Sequence, residues 1–384
     1  MLDVHPVRAF LTKRHIAFAA AADRFATTDI AALPGVGEDE AARVQARQVL
    51  KLLGGAWLQP IRDQDLRACC LMREALAAAS PLADAVFALQ ALGATPLVLA
   101  GTDEQRARWL EPALAGTALA AFAMTEPGAG SDVASLNTRA EESGEGFVLN
   151  GAKSFISNAG IADFYVVFAT LDPSQRHRGI ACFLVPADTP GLRFVGPQVM
   201  SAPHPLGDIA FNDCRLPRSA LLAPAGEGFK LGLATLDRLR ATVAAAACGM
   251  AARALREALD HAKRRHQFGK PLGEFQLVQD KVARMAIDLT AARLLTYRAA
   301  WERDEGAERV TLESAMAKAF ATEAAQRVID HAVQILGGTG VLASHPVERL
   351  YRSIRALRIY EGTTEIQHLI IAGKLLDAVN DPHA

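Results

Sequence analysis

The chain has 384 residues, 51% of them hydrophobic, with 41 Lys and Arg set against 42 Asp and Glu for a formal net charge of -1. That length holds two or three domains around substantial cores. The near-neutral balance gives no sign of a nucleic-acid partner or of attraction to an anionic membrane surface.

The five cysteines (Cys69, Cys70, Cys182, Cys214 and Cys248) lack metal-ligand spacing, so no metal site is expected. Their odd number suits free thiols in a reducing compartment. An apolar run at 16–22 is closely flanked by Arg14, His15 and Asp23, is too short to span a bilayer and lacks a cleavage pattern. The reading is a soluble cytoplasmic protein without membrane insertion.

Residues 1–116 read as a helical N-terminal domain. Ser80 before Pro81 is an N-cap followed by Pro at the first helical position. Thr102-Asp103-Glu104-Gln105 forms a capping box, opening a helix that carries Trp109 and Leu110 and stops near Gly116.

Between 117 and 225 glycines divide the chain into short pieces, with strand-like runs at 146–150, 164–170, 180–185, 192–195 and 209–212. Short strands with turn signals and no long helical stretch predict a small β-barrel or sandwich. Residues 226–384 return to helical periodicity. One long helix is expected from about Phe229 to Arg265, a second around Met285, and a third from Thr311 to the Gly337-Gly338 pair. A fourth follows Pro346. Alanine runs such as 244–247 suit close helix approach in a four-helix bundle. The fold class is multidomain α+β.

Chemistry concentrates in a few stretches. At 358–367 one helix ends near Ile359 and another begins near Thr363, leaving Glu361 on a corner made by Gly362. Glu361 is expected to point where neither helix buries it, among Tyr360 and Ile359. Apolar surroundings there raise a carboxyl pKa towards the range of a general base. By itself the same stretch also reads as a solvated turn.

The run Phe122-Ala123-Met124-Thr125-Glu126-Pro127-Gly128-Ala129-Gly130-Ser131-Asp132 offers backbone N–H groups and hydroxyls to an anion or a ring heteroatom. Phe155, Ile156 and Ser157 follow in an Asn- and Gly-rich turn. Singly, each also reads as a plain turn or hairpin.

Together these stretches resemble the acyl-CoA dehydrogenase family. The resemblance covers nearly the whole chain in order and rests on five motifs: 125–132, Lys153-x-x-Ile156-x-Asn158, 264–269, 334–338 and 360–363. It implies one FAD per subunit in a homotetramer. Phe122, Met124, Thr125, Gly130, Ser131, Phe155, Ile156 and Ser157 are then expected around the flavin ring. Arg265, Phe268, Gln276, Gln334, Ile335, Leu336, Gly337 and Gly338 match contacts to a neighbour's FAD, where a permanent planar cation suits a diphosphate. Thr363, Thr364 and Glu365 match cofactor contacts at the start of the last helix. Asp237, Arg240, Ser131 and Gly362 match the substrate side.

In this resemblance Glu361 is the catalytic base of acyl-CoA to trans-2-enoyl-CoA dehydrogenation, with electron-transfer flavoprotein as acceptor. The alternative base position of other branches is Leu239 here, which takes no proton. Phe155 stands where Trp is usual, Ser353 where Asp is common, and 54–97 lacks a Tyr-Gly-Gly loop. An acyl-CoA oxidase, an acyl-carrier-protein substrate and a non-catalytic scaffold are the competing readings.

Overall fold

The computed structural model describes residues 2–144 and 146–380. Helices α1 (Lys13–Phe25), α2 (Asp39–Leu53), α3 (Gln59–Asp63), α4 (Leu66–Ala79), α5 (Pro81–Ala100), α6 (Asp103–Gln105) and α7 (Glu111–Leu114) come first. Strands β1 (Ala120–Ala123), β2 (Arg139–Ser143), β3 (Gly146–Ser157), β4 (Phe164–Thr170), β5 (Ile180–Pro186), β6 (Leu192–Pro197), β7 (Leu206–Pro217) and β8 (Leu221–Ala223) follow. Helices α8 (Glu227–Arg264), α9 (Gln276–Asp304), α10 (Thr311–Leu336), α11 (Pro346–Leu357) and α12 (Thr364–Asn380) complete the chain.

The chain divides into two compact units, one of Met1–Pro34, Asp65–Asp84 and Asp237–Ala384, the other of Gly35–Gln64 and Ala85–Leu236. In the helical unit α9 packs on α4 and α10, and α10 on α11 and α12. Its core runs through Ala244, Ala245, Ala246, Ala247, Tyr297, Val328, Ile329, Leu350 and Ile354, all buried. Small side chains on α8 let backbones approach. At Gly249 an added Cβ would lie 2.1 Å from the Glu74 carbonyl oxygen, so only glycine fits that crossing.

In the β unit the strand path is β6-β7-β3-β2-β4-β5-β8, with β1 paired in parallel to β4. The barrel-or-sandwich expectation resolves as an eight-stranded sheet whose path does not close. Long antiparallel pairing of β3 with β7 carries two register shifts, between Leu149 and Gly151 and between Lys153 and Ile156. The second shift sits beside Phe155, a residue with left-handed φ of 56°. Gln90 ties α5 to this unit: its Nε2 donates to the Ala113 and Ala118 carbonyls and its Oε1 accepts the Ala120 N–H.

The capping box expected at Thr102 is present, Thr102 Oγ1 accepting the Gln105 N–H and Gln105 Oε1 accepting the Thr102 N–H. One described helix, Pro81–Ala100, is long and apolar enough to cross a bilayer, and 72% of that window is buried within the protein. None of the five cysteines is in a disulfide, and all are buried.

Candidate active site

The helical unit holds the corner at 358–363. Helix α11 ends at Leu357 and α12 opens at Thr364, whose N–H donates to the Arg358 carbonyl. Glu361 and Gly362 both take left-handed φ, 56° and 91°, which turns the chain sharply. At φ of 91° any L side chain on residue 362 is strained, and an added Cβ would stand 2.6 Å from Gln367 Nε2 and displace it, so the turn favours glycine.

The carbonyls of this corner are clamped from three elements. Gln367 Nε2 donates to the Glu361 and Gly362 carbonyls at 3.2 and 2.9 Å. Lys318 Nζ on α10 donates to the Gly362 carbonyl at 2.6 Å, and Arg240 Nε on α8 reaches the Glu361 carbonyl at 3.4 Å.

The clamps leave the carboxylate itself alone. Glu361 is half-buried as a residue, but its Oε2 is sealed from solvent without a hydrogen-bond partner. Its pKa is raised, first because burial disfavours the charged form; Arg73, Lys318 and Arg240 oppose that rise. The expected apolar lining is thus corrected: burial raises the pKa as foreseen, within an ionic surround. Ile359, expected to line it, is 52% exposed. Among the described residues the Glu361 N–H has no protein acceptor.

Arg73 and Lys318 escaped the sequence reading, and Gln367 stands in the 358–367 stretch with no role expected of its side chain. The signal of the first two is a long polar side chain inside an apolar run: Arg73 follows Cys69-Cys70-Leu71-Met72, and Lys318 lies within alanines of α10. Such a residue on a buried helix face needs partners.

Asp237 and Arg240, expected on the substrate side, pair with each other at 3.1 Å, and Asp237 Oδ2 also accepts the Thr311 hydroxyl. Thr363 caps α12, its Oγ1 accepting the Ile366 N–H. Thr364 turns inward: it is buried and donates to Glu323, which also takes Arg358. Glu365 is exposed, its pKa lowered by its own backbone N–H and by Thr363. Arg265, Gln276, Gln334, Gly337 and Gly338 are exposed, and Phe268 is 93% exposed with φ of 52°. Ile335 and Leu336 belong to the core instead, so only their backbone remains for a ligand.

The β unit carries the other expected set. Phe122 packs its ring on Phe168 with centroids 4.9 Å apart, and Met124 and Ile156 are buried. The loop from Met124 to Ser131 is framed by a buried pair that sequence reasoning also missed. Lys153 Nζ donates to Glu126 Oε1 at 2.8 Å and to the Met124 carbonyl at 3.1 Å. Glu126 also accepts the Asn137 and Thr138 N–H groups, and the Thr125 carbonyl accepts the Ser154 N–H.

Gly130 and Ser131 are exposed, with open space at Gly130 where a Cβ would be. Phe155 is 61% exposed. Ser157 Oγ lies 2.7 Å from Nε2 of half-buried His204, whose pKa is lowered to about 4 by desolvation. An exposed aromatic, an open glycine loop and a positioned hydroxyl suit a flat heteroaromatic group such as a flavin. The exposed Arg265, Phe268 and glycine pair of the helical unit suit a phosphate-bearing tail, so both residue sets fit FAD.

Among the described residues one trio, His15, Asp65 and Asp304, brings ligand atoms within 4.8 Å of one another. Asp304 is already taken by the Leu66 and Arg67 N–H groups and the Arg67 side chain.

Three regions match domain families described as acyl-CoA dehydrogenase N-terminal domain (residues 7–117), middle domain (121–214) and C-terminal domain (226–376). The short-chain specific acyl-CoA dehydrogenase of Rattus norvegicus mitochondria is 44% identical over 287 residues, 73% of this chain and 68% of that protein. Butyryl-CoA dehydrogenase from Megasphaera elsdenii superposes with a TM-score of 0.87 at 34% identity, covering 95% of this chain and 99% of that one. A chain in a structure of the electron transferring flavoprotein of Acidaminococcus fermentans gives 0.88 at 34% identity, covering 95% and 98%. PigA with FAD and proline gives 0.84 at 30%, covering 95% and 98%.

Proposed function

The chain belongs to the acyl-CoA dehydrogenase family, and from that membership we propose that Glu361 is the base of an FAD-dependent α,β-dehydrogenation of an acyl-CoA thioester. When bound, FAD supplies the acceptor for the hydride leaving the β carbon. This chain supplies the proton chemistry. A carboxylate of ordinary pKa near ~4.3 is a weak base towards a C–H group. Glu361 meets that difficulty with a raised pKa and an Oε2 that no donor occupies. Its N–H, free of protein acceptors, suits the thioester carbonyl, where a hydrogen bond stabilises the negative charge that develops as the α proton leaves.

The observation that carries this reading is the sealed, unpartnered Glu361 Oε2 on a corner clamped through its carbonyls. Glu361→Gln keeps the shape and removes the proton acceptor. FAD should stay bound while flavin reduction by an acyl-CoA falls at least ~100-fold. Reduction near the wild-type rate would falsify the assignment. Relatives named for short-chain and butyryl substrates make short acyl-CoA thioesters the first to assay.

FAD lies, in this reading, against Phe122, Thr125, Gly130, Ser131, Phe155 and Ser157. Arg265, Phe268, Gln276, Gln334, Gly337 and Gly338 serve a neighbouring subunit of a homotetramer. Their exposure supports that arrangement, since Phe268 and Leu277 leave apolar surface open. The three-domain division at 1–116, 117–225 and 226–384 is retained alongside the three matched families. Electron-transfer flavoprotein is the proposed acceptor, supported by the likeness to the Acidaminococcus fermentans structure. Buried thiols outside any disulfide suit the reducing cytoplasm.

A further inference from the structure

Behind the Glu361 corner, α4 and the first turn of α5 bury an ion pair. Arg73 Nε and Nη2 donate to Asp84 Oδ1 and Oδ2 at 2.8 and 2.9 Å, and Arg73 Nη1 donates to Thr242 Oγ1 at 3.0 Å. The Thr242 proton is committed to the Leu239 carbonyl, so its lone pair turns to the guanidinium. Arg73 and Asp84 are 1% and 2% exposed. The Tyr360 hydroxyl, on the residue before Glu361, lies beside the same guanidinium.

Stability alone does not explain the pair. A buried ion pair commonly contributes no more than apolar residues of the same volume, while losing one partner is severe. The geometry says more. Three of the five guanidinium N–H donors are taken by Asp84 and Thr242, and Glu361 Oε2 receives none.

We propose that Arg73 is a positioning residue for Glu361: held on Asp84 and Thr242, it sets a permanent positive charge beside the base without donating a hydrogen bond to it. This rests on the reading of Glu361 as the base. A base inside the protein must be ionised before it can act, and burial opposes ionisation. A donor bonded to the carboxylate would favour ionisation but occupy the lone pairs that must receive the substrate proton. A nearby cation turned onto another carboxylate supplies the field and leaves the lone pairs open.

The charged groups around Glu361 are Arg73 on α4, Asp84 on α5, Arg240 and Asp237 on α8, Lys318 and Glu323 on α10, and Glu365 on α12. Among the cations Arg73 opposes the raised pKa of Glu361 most. Lys318, at about 8, loses its charge in mildly alkaline solution, whereas a guanidinium keeps it. Asp84 offsets part of the Arg73 charge and keeps the fork turned away.

The test is the pH profile of flavin reduction in the FAD-loaded enzyme with a short acyl-CoA, for wild type, R73K, D84N and the charge-neutral R73Q/D84N. The acidic limb, where Glu361 gains its proton, should rise by at least about one pH unit in R73Q/D84N, a tenfold lower rate at a fixed pH below the limb. R73K should keep the limb near wild type because the charge stays. D84N should move it down, since an unbalanced guanidinium is free to reach Glu361. A limb unchanged in both folded, flavin-loaded R73Q/D84N and D84N overturns the proposal. Should the double variant fail to fold, the direction of the D84N shift decides it alone. E361Q separates the underlying reading: if it reduces flavin normally, the base assignment has failed, whatever the Arg73 variants do.

Discussion

Lys318 Nζ and the Gly362 carbonyl oxygen lie 2.6 Å apart, a charge-assisted hydrogen bond between a buried ammonium and the corner that carries Glu361. Burial lowers the Lys318 pKa to about 8, with Arg240 adding to that and Glu361 resisting it. The bond therefore weakens as pH rises through about 8. Lys318→Met should lower turnover about tenfold or more, the effect of losing roughly 1.5–3 kcal/mol of charge-assisted bonding, with a smaller change in KM. The wild type should lose rate on the alkaline side near pH 8, and K318R should not. Folding stability runs the other way. The unfolded chain keeps its Lys proton up to about 10.5 while the folded one releases it near 8, so this group's contribution rises with pH across that window.

Gly362→Ala tests the corner itself. The new Cβ meets Gln367 Nε2 at 2.6 Å, and the left-handed φ of 91° is strained for any L side chain. A stability loss of roughly 1–2 kcal/mol is expected from the backbone alone. Because the Gln367 clamp is displaced, turnover should fall further than the melting temperature suggests. A variant with wild-type turnover would show that the corner tolerates another geometry.

The Glu126–Lys153 pair frames the 124–131 loop in the β unit, with Lys153 fully buried. Glu126→Gln leaves that ammonium without its counter-charge, and denaturant unfolding at pH 7 should register a loss of about 3–5 kcal/mol. The Glu126 pKa is lowered by Lys153 and by the Thr138 and Asn137 hydrogen bonds, against burial. Its stabilising contribution is present above the unfolded value of about 4.5 and fades as pH falls through the folded one. Acid-driven FAD release linked to this carboxylate is therefore expected in the wild type and absent in E126Q, which should hold FAD less firmly already at pH 7.

His204 supplies an acid-sensitive element. Its folded pKa is near 4, against 6.5 for the free side chain, so it is neutral beside Ser157 in the folded protein at pH 7. The unfolded chain takes up a proton first, and stability should fall as pH drops from about 6.5 towards 4. Melting curves across that range should flatten in H204F. The flavin absorption spectrum should shift as well, because Ser157 loses the partner that orients its hydroxyl.

The parts of the fold written in local chemistry could be read early. The Thr102 capping box, the Pro81 start and the glycine end of α10 each follow from one or two residues. Strands β1 and β2 could not. Ala120-Ala121-Phe122-Ala123 and Arg139-Ala140-Glu141-Glu142-Ser143 have little strand propensity, and pairing with β4 and β3 makes them strands. The same holds at the site. Glu361, Gly362 and Thr363 stand together in the sequence and Arg240 matches a motif position, whereas Arg73 and Lys318 come from two other helices with no motif around them. Thr364, Ile335 and Leu336 match motif positions, yet their side chains pack inward, because a motif fixes the backbone path more firmly than the direction of each side chain.

The five buried thiols have a practical consequence. Burial raises the pKa of Cys182 and Cys248 strongly and that of Cys214 to about 11, so thiolate is scarce at neutral pH. Alkylating reagents and peroxide act on thiolate that solvent can reach. The native protein should therefore stay chemically silent towards maleimides, and one cysteine introduced on an exposed helix becomes a unique attachment point. Fluorophore pairs or spin labels can then report movement of the corner and of the 124–131 loop without first removing native sulfur.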